Sequence, residues 1–256
     1  MPEHKAVLLM ESISATYSEG QARLPVLAEV SLSLGAGEFA ALLGPSGSGK
    51  STLLKIAAGL TRPDRGRVYL NGRESTGQVQ KVGYMPQQDL LFPWLTLQQN
   101  AALPLLSAGV DKPEAYERVR ELLPVFGLEG FEGYYPRRLS GGMRQRTALL
   151  RTVLIESGLL LLDEPFAALD AITRERLQEW LLSVLERFNC SVLFVTHSID
   201  EAIYLADRVY MFSERPGSIV MDQLIDLPRP RARGVVTAAS FLSYKEALME
   251  SLQLKG

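Results

Sequence analysis

The sequence predicts an α/β fold on a mostly parallel sheet, with an antiparallel β region near the N-terminus and a helical segment inserted in the middle. Three observations carry that expectation. Short apolar runs alternate with helical patterns along most of the chain. Residues 159–162 are four consecutive leucines, as expected of a strand covered on both faces. Residues 97–138 hold no strand-like run.

In chain order, residues 7–30 with 67–70 read as antiparallel strands and turns. Residues 39–43, 82–85, 159–162, 191–196 and 208–212 read as core strands. A helix over 51–58 places Leu53, Leu54, Ala57 and Ala58 on one face and stops at Gly59. In the middle segment Asp111 caps a helix with Pro113 in its first turn and an apolar face of Ala115, Val119, Leu122, Leu123 and Phe126; Pro124 kinks or ends it. A further helical stripe runs through Leu177, Trp180, Leu181, Val184, Leu185 and Phe188, and Ser198 and Glu201 have capping-box spacing. The expected organisation is a domain over 1–226, with a helical subdomain at about 88–143, followed by a tail over 227–256. In the tail, Pro228-Arg229-Pro230-Arg231-Ala232-Arg233 reads as a solvated basic linker rather than a nucleic-acid arm, three arginines being few. Residues 241–254 read as a helix packed through Leu242, Leu248, Met249 and Leu252.

Composition narrows the functional classes. A net charge of -2 supplies no global positive field for nucleic acid or anionic lipid. One cysteine, Cys190, excludes an internal disulfide, and two histidines, His4 and His197, exclude a histidine-rich metal site. The start of the chain lacks the pattern of a secretory signal. The longest apolar candidate, residues 101–110, contains Pro104 and falls short of the roughly 18–20 residues that span a bilayer.

Three stretches carry chemistry. Gly44-Pro45-Ser46-Gly47-Ser48-Gly49-Lys50-Ser51 matches the phosphate-binding loop in full, between a strand and a helix. Its glycines let backbone N–H groups converge on phosphate oxygens, Lys50 reaches the β- and γ-phosphates, and the Ser51 hydroxyl suits magnesium. ATP with Mg2+ is the expected ligand. Asp163 and Glu164 end the leucine strand at the ligand edge of such a sheet. Asp163 suits the metal, and Glu164 suits the general base toward water. Finally, Ser140 caps a helix that opens with Gly141 and Gly142, a second anion-type helix end about ninety residues after the first.

Together these stretches resemble the ATP-binding subunit of an ABC transporter, over about residues 7–212. The resemblance implies further roles. Tyr17 is similar to the aromatic that stacks on adenine, and Thr52 follows Ser51 in the nucleotide site. Gln87, chosen over the adjacent Gln88 by its distance from the strand, is similar to the glutamine that senses metal and attacking water. Ala168-Leu169-Asp170 is similar to the loop that crosses to a second subunit, and His197 to the histidine that contacts the γ-phosphate. The departures are Met143 for the commoner glutamine, Ala167-Ala168 for a serine-containing loop, and Ser157-Gly158 where proline is common.

The family implies two ATPase subunits facing head to tail, so that residues 44–51 of one and Ser140, Gly141 and Gly142 of the other close on one ATP. Residues 88–97 with Asn100, residues 169–174, and Arg215-Pro216-Gly217 resemble the bacterial importer ATPases for nitrate, sulfonates, taurine and thiamine precursors. That implies a transmembrane permease, an external solute-binding protein reached through it, no nucleic acid, and a peripheral place on the cytoplasmic face of the membrane. Phe92 and Trp94 either meet the permease or pack the helical insert. An exporter ATPase, or a soluble ABC ATPase of repair or translation, are the alternatives; the latter usually carries a coiled-coil insert or a second cassette, and neither is present.

Overall fold

The computed structural model describes residues 6–19, 22–167, 169–188 and 190–253. Ala168, His4 and Leu254 lie outside the described residues, as do the side chains of Val184, Leu185, Phe188 and Leu252. The described chain divides into two compact units, residues 1–80 with 190–256, and residues 81–189.

The first unit contains β1 (Leu8–Glu19), β2 (Ala22–Leu34), β3 (Phe39–Leu43), α1 (Lys50–Ala57), β4 (Arg65–Leu70) and β5 (Arg73–Glu74). After residue 190 it adds β8 (Ser191–Thr196), α6 (Ile199–Leu205), β9 (Arg208–Phe212), β10 (Ile219–Leu224) and α7 (Ala239–Gln253). Strands β2-β1-β4-β5 form an antiparallel sheet, as the N-terminal pattern predicted. In the other layer β3 runs parallel to both β8 and β9, and β10 adds an antiparallel edge on β9. Sequence reading missed β10 because an edge strand with its side chains partly in water lacks a continuous apolar run. β3 and β8 have every residue buried, so they read clearly.

The second unit contains β6 (Gly83–Met85), α2 (Leu97–Ser107), α3 (Lys112–Phe126), α4 (Gly141–Val153), β7 (Leu159–Asp163) and α5 (Ala171–Phe188). β6 and β7 pair in parallel, with Met85 opposite Leu162. Ser157, where the family often has proline, stitches this pair: its Oγ accepts from Gly83 N–H at 2.8 Å and donates to Leu159 O at 2.7 Å. Helix α2 opens with a full capping box between Thr96 and Gln99.

Four local expectations change. Asp111 occupies the N-cap of α3 without a side-chain capping bond. Pro124 lies within the last turn of α3, and the helix ends instead at Gly127, whose φ of 59° is left-handed. On α7 the buried residues are Phe241 and Leu248, seven apart on one face, while Leu242 and Met249 lie about 100° around it and are exposed. The fourth concerns the tail. Arg231 is not solvated; only 5% of it is exposed, because its guanidinium finds carbonyl partners inside the unit.

Candidate functional site

In the first unit the loop over residues 44–51 leaves β3 and enters α1. Leu43 pairs with Thr196 in β8 and with Met211 in β9, so Gly44 and His197 leave neighbouring strands at the same C-terminal edge. That edge is where α/β sheets bind ligands. His197 is exposed there. Lys50 is 4% exposed, and its Nζ donates to Gly44 O at 2.9 Å, Pro45 O at 2.7 Å and Ser48 Oγ at 3.2 Å. The loop thus wraps its own lysine and holds the ammonium within the curve of the backbone. The crowding demands glycine at Gly49. Its φ is 100°, and a Cβ there would lie 2.8 Å from Val26 O and 2.7 Å from Leu27 Cδ2. Tyr17 is 44% exposed, with its hydroxyl 3.0 Å from Thr52 Oγ1 in α1. Its hydroxyl therefore stands at the helix that follows the loop, with the residue partly exposed.

The second unit brings another set together. Asp163 ends β7 and is buried at 4% exposure. Gln87 and Glu164 each lie two residues beyond the paired Met85 and Leu162, and Gln87 Nε2 donates to Glu164 Oε2 at 3.0 Å. Glu164 takes a left-handed φ of 46°, a costly conformation for a residue with a Cβ and one typical of functional turns. Ser140 caps α4, its Oγ accepting from Met143 N–H at 3.3 Å, with Ser140 and Gly141 exposed. Asp170 caps α5 by accepting from Thr173 N–H at 3.0 Å, which holds its carboxyl below the usual carboxylate range.

Some of what shapes these groups was not visible in the sequence. Arg144 Nε binds Asp89 Oδ2 at 3.0 Å, and Arg151 donates to Asp89 O at 2.7 Å and Leu90 O at 2.9 Å. Two arginines of α4 thereby fasten the loop that follows Gln87. The buried Asn100 accepts from Phe92 N–H at 2.8 Å and donates to Phe92 O and Leu95 O, both at 3.1 Å. The resulting loop presents Trp94 at 68% exposure with Phe92 against it, ring centroids 5.3 Å apart. Trp180, by contrast, is the aromatic that packs the helical unit, against Phe126 at 4.9 Å. Gly217 also gains a reason: a Cβ there would collide with Ser48 O, so it backs directly onto the phosphate loop.

A glycine-rich loop at a parallel strand's end, closing on a buried lysine, together with an acid pair ending a core strand, defines a nucleoside-triphosphate hydrolase of the phosphate-loop class. The particular family follows from comparison. The ABC transporter family pattern matches residues 27–167. The chain is 42% identical, over 93% of its length and 91% of the relative's, to an aliphatic sulfonates import ATP-binding protein of Bacillus licheniformis. It is 44% identical, over 83% of its length and 82% of the relative's, to a formylaminopyrimidine import ATP-binding protein of Halalkalibacterium halodurans. A solved dimeric ATP-binding cassette bound to ADP and phosphate matches with a TM-score of 0.76 at 31% identity, over 86% of this chain and all of that one. The chain belongs to the ABC transporter family, as an ATP-binding, ATP-hydrolysing subunit.

Proposed function

We propose that this chain is the ATPase of an importer for a small solute of the sulfonate, nitrate or thiamine-precursor kind. It works as a homodimer on a transmembrane permease that receives solute from an external binding protein, at the cytoplasmic face of the membrane. The similarity to two import ATP-binding proteins over most of the chain supports the import reading. Among the described residues no helix is long and apolar enough to cross a membrane.

The observation that carries the hydrolytic reading is the Gln87–Glu164 hydrogen bond at 3.0 Å beside the end of β7. Glu164 accepts a proton from the attacking water, and Gln87 orients both. Lys50 and the backbone of residues 44–51 bind the β- and γ-phosphates, with Thr52 beside them, and Tyr17 carries the adenine. His197 contacts the γ-phosphate. The Ser51 hydroxyl, the Asp163 carboxylate and the Gln87 amide oxygen would hold the metal, all hard oxygen donors. Among the described residues no group of three or more His, Cys, Asp and Glu forms a closed metal cage. That set fits Mg2+, which keeps waters and phosphate oxygens as its other ligands. When bound, Mg2+ would supply neutralisation of charge on the phosphates. Ser140, Gly141 and Gly142 serve the ATP held by the facing copy, whose closure drives the permease.

Glu164→Gln tests this reading. Turnover is expected to fall by about 10²–10³, while ATP is retained and a stable dimer elutes on size-exclusion chromatography. Near-normal hydrolysis by this variant sinks the base assignment. Cells carrying it should lose uptake of labelled sulfonate, nitrate or formylaminopyrimidine; loss of efflux in its place would make the system an exporter.

A further inference from the structure

The tail beyond β10 is built into the fold at the helix next to His197. Helix α6 has seven residues, and its last carbonyls need donors from outside it. Arg231 Nη1 donates to Ile203 O at 3.0 Å, Tyr204 O at 3.2 Å and Ala206 O at 2.7 Å, and Arg229 Nη2 donates to Leu205 O at 2.7 Å. Two arginines of the tail therefore cover the whole last turn, where the helix carries partial negative charge. Both also reach Asp207, whose other carboxylate oxygen accepts from Phe39 N–H at the start of β3. In return Tyr204 donates its hydroxyl proton to Arg231 O at 3.0 Å.

The opposite end of α6 is held as firmly. Thr196 Oγ1 donates to Glu201 Oε2 at 2.6 Å and accepts from Ser198 N–H at 3.0 Å, while Ser198 Oγ accepts from Glu201 N–H at 3.3 Å. His197 is bracketed between these bonds, so its backbone moves with the first turn of α6. Lys245 of α7 adds an ion pair to Asp200 in that turn, at 2.7 Å. An apolar side chain at position 231 would fill the space without the cost of burying a charge, yet would take the donor from the carbonyls of Ile203, Tyr204 and Ala206 at the end of α6 and from those of Ile225 and Leu227.

We propose that Arg231 is a positioning residue for His197: the tail grips both ends of α6 and so sets where the histidine stands during turnover. This rests on the reading of His197 as a group that contacts the γ-phosphate. The experiment compares wild type with Arg231→Met and His197→Ala in the full chain. Because the sequence has two histidines, the ring C–H NMR signal of His197 is assigned directly by its loss in His197→Ala. Arg231→Met is expected to shift or broaden that signal, leave the His4 signal in place, and lower kcat about tenfold with KM for ATP within about twofold. An unchanged His197 signal, or an unchanged kcat, overturns the proposal. His197→Ala at wild-type rates would instead overturn the role of His197 itself. If Arg231→Met does not fold, Arg231→Lys, which keeps the charge but not the fork, is read by the same two measurements.

Discussion

The chain presents two glycine-opened helix starts, and they are built in opposite ways. At α1 the loop is packed from outside: Gly49 abuts Val26 and Leu27, Ser48 O is backed by Gly217, and Lys50 is bound into the curve by two carbonyls. At α4 the start is open. A Cβ on Gly141 would meet nothing nearer than 3.9 Å, and Ser140 and Gly141 face solvent. One loop is shaped before any ligand arrives. The other is a capped helix end with its polar groups outward, the form expected of a surface completed by a second molecule. Glycine serves different ends in the two, since at Gly49 backbone conformation forbids anything larger, and at Gly141 only the approach of a ligand would.

That contrast can be broken from either side. The largest expected effect is Ser140→Arg, which puts a long cation on the open helix start. Hydrolysis is expected to fall at least about 10²-fold while nucleotide binding by the isolated chain stays intact; fluorescent-ATP titration beside a phosphate-release assay separates the two, and lost binding would place Ser140 in its own chain's site. Next comes Gly49→Ala, expected to cost about 2 kcal/mol in chemical denaturation and to weaken ATP binding, whereas Gly141→Ala should stay within about 0.5 kcal/mol. Equal losses at the two glycines would remove the distinction. The smallest is Asp89→Ala. The Asp89–Arg144 pair is about a third exposed on each side, so roughly 0.2–1 kcal/mol of stability is at stake. A loss of 3 kcal/mol or more, against that rough figure, would mean the pair does more than tie a surface loop.

The site was legible to different depths. The placement of Lys50 at the loop's end and of Asp163 and Glu164 at a strand's end could be read directly, because a loop and a strand end specify their own geometry within a few residues. The core strands were legible because burial on both faces leaves a continuous apolar run, while β10, half in water, left none. The hydrogen bond between Gln87 and Glu164 could not be read, since it joins residues 77 apart through the register of β6 on β7. Trp94 and Phe92 were ambiguous in the same way. An aromatic on a loop looks alike in sequence whether it packs or protrudes, and Asn100 decided the matter by turning the loop outward.

Arg231 marks the limit most clearly. Preceded by Pro228-Arg229-Pro230 and followed by Ala232-Arg233, it sits in a pattern that speaks only for water. Whether a guanidinium stays there depends on the carbonyls within its reach, and those come from residues 203–206 and 225–227, brought around it by packing. By itself the sequence determined the fold class, the phosphate loop and the acidic strand end, because contiguous residues set those by periodicity and backbone freedom. Tertiary structure alone decided which loops are tied, which aromatics face out, and that Arg231 of the basic tail turns inward, because each depends on partners far away in the chain.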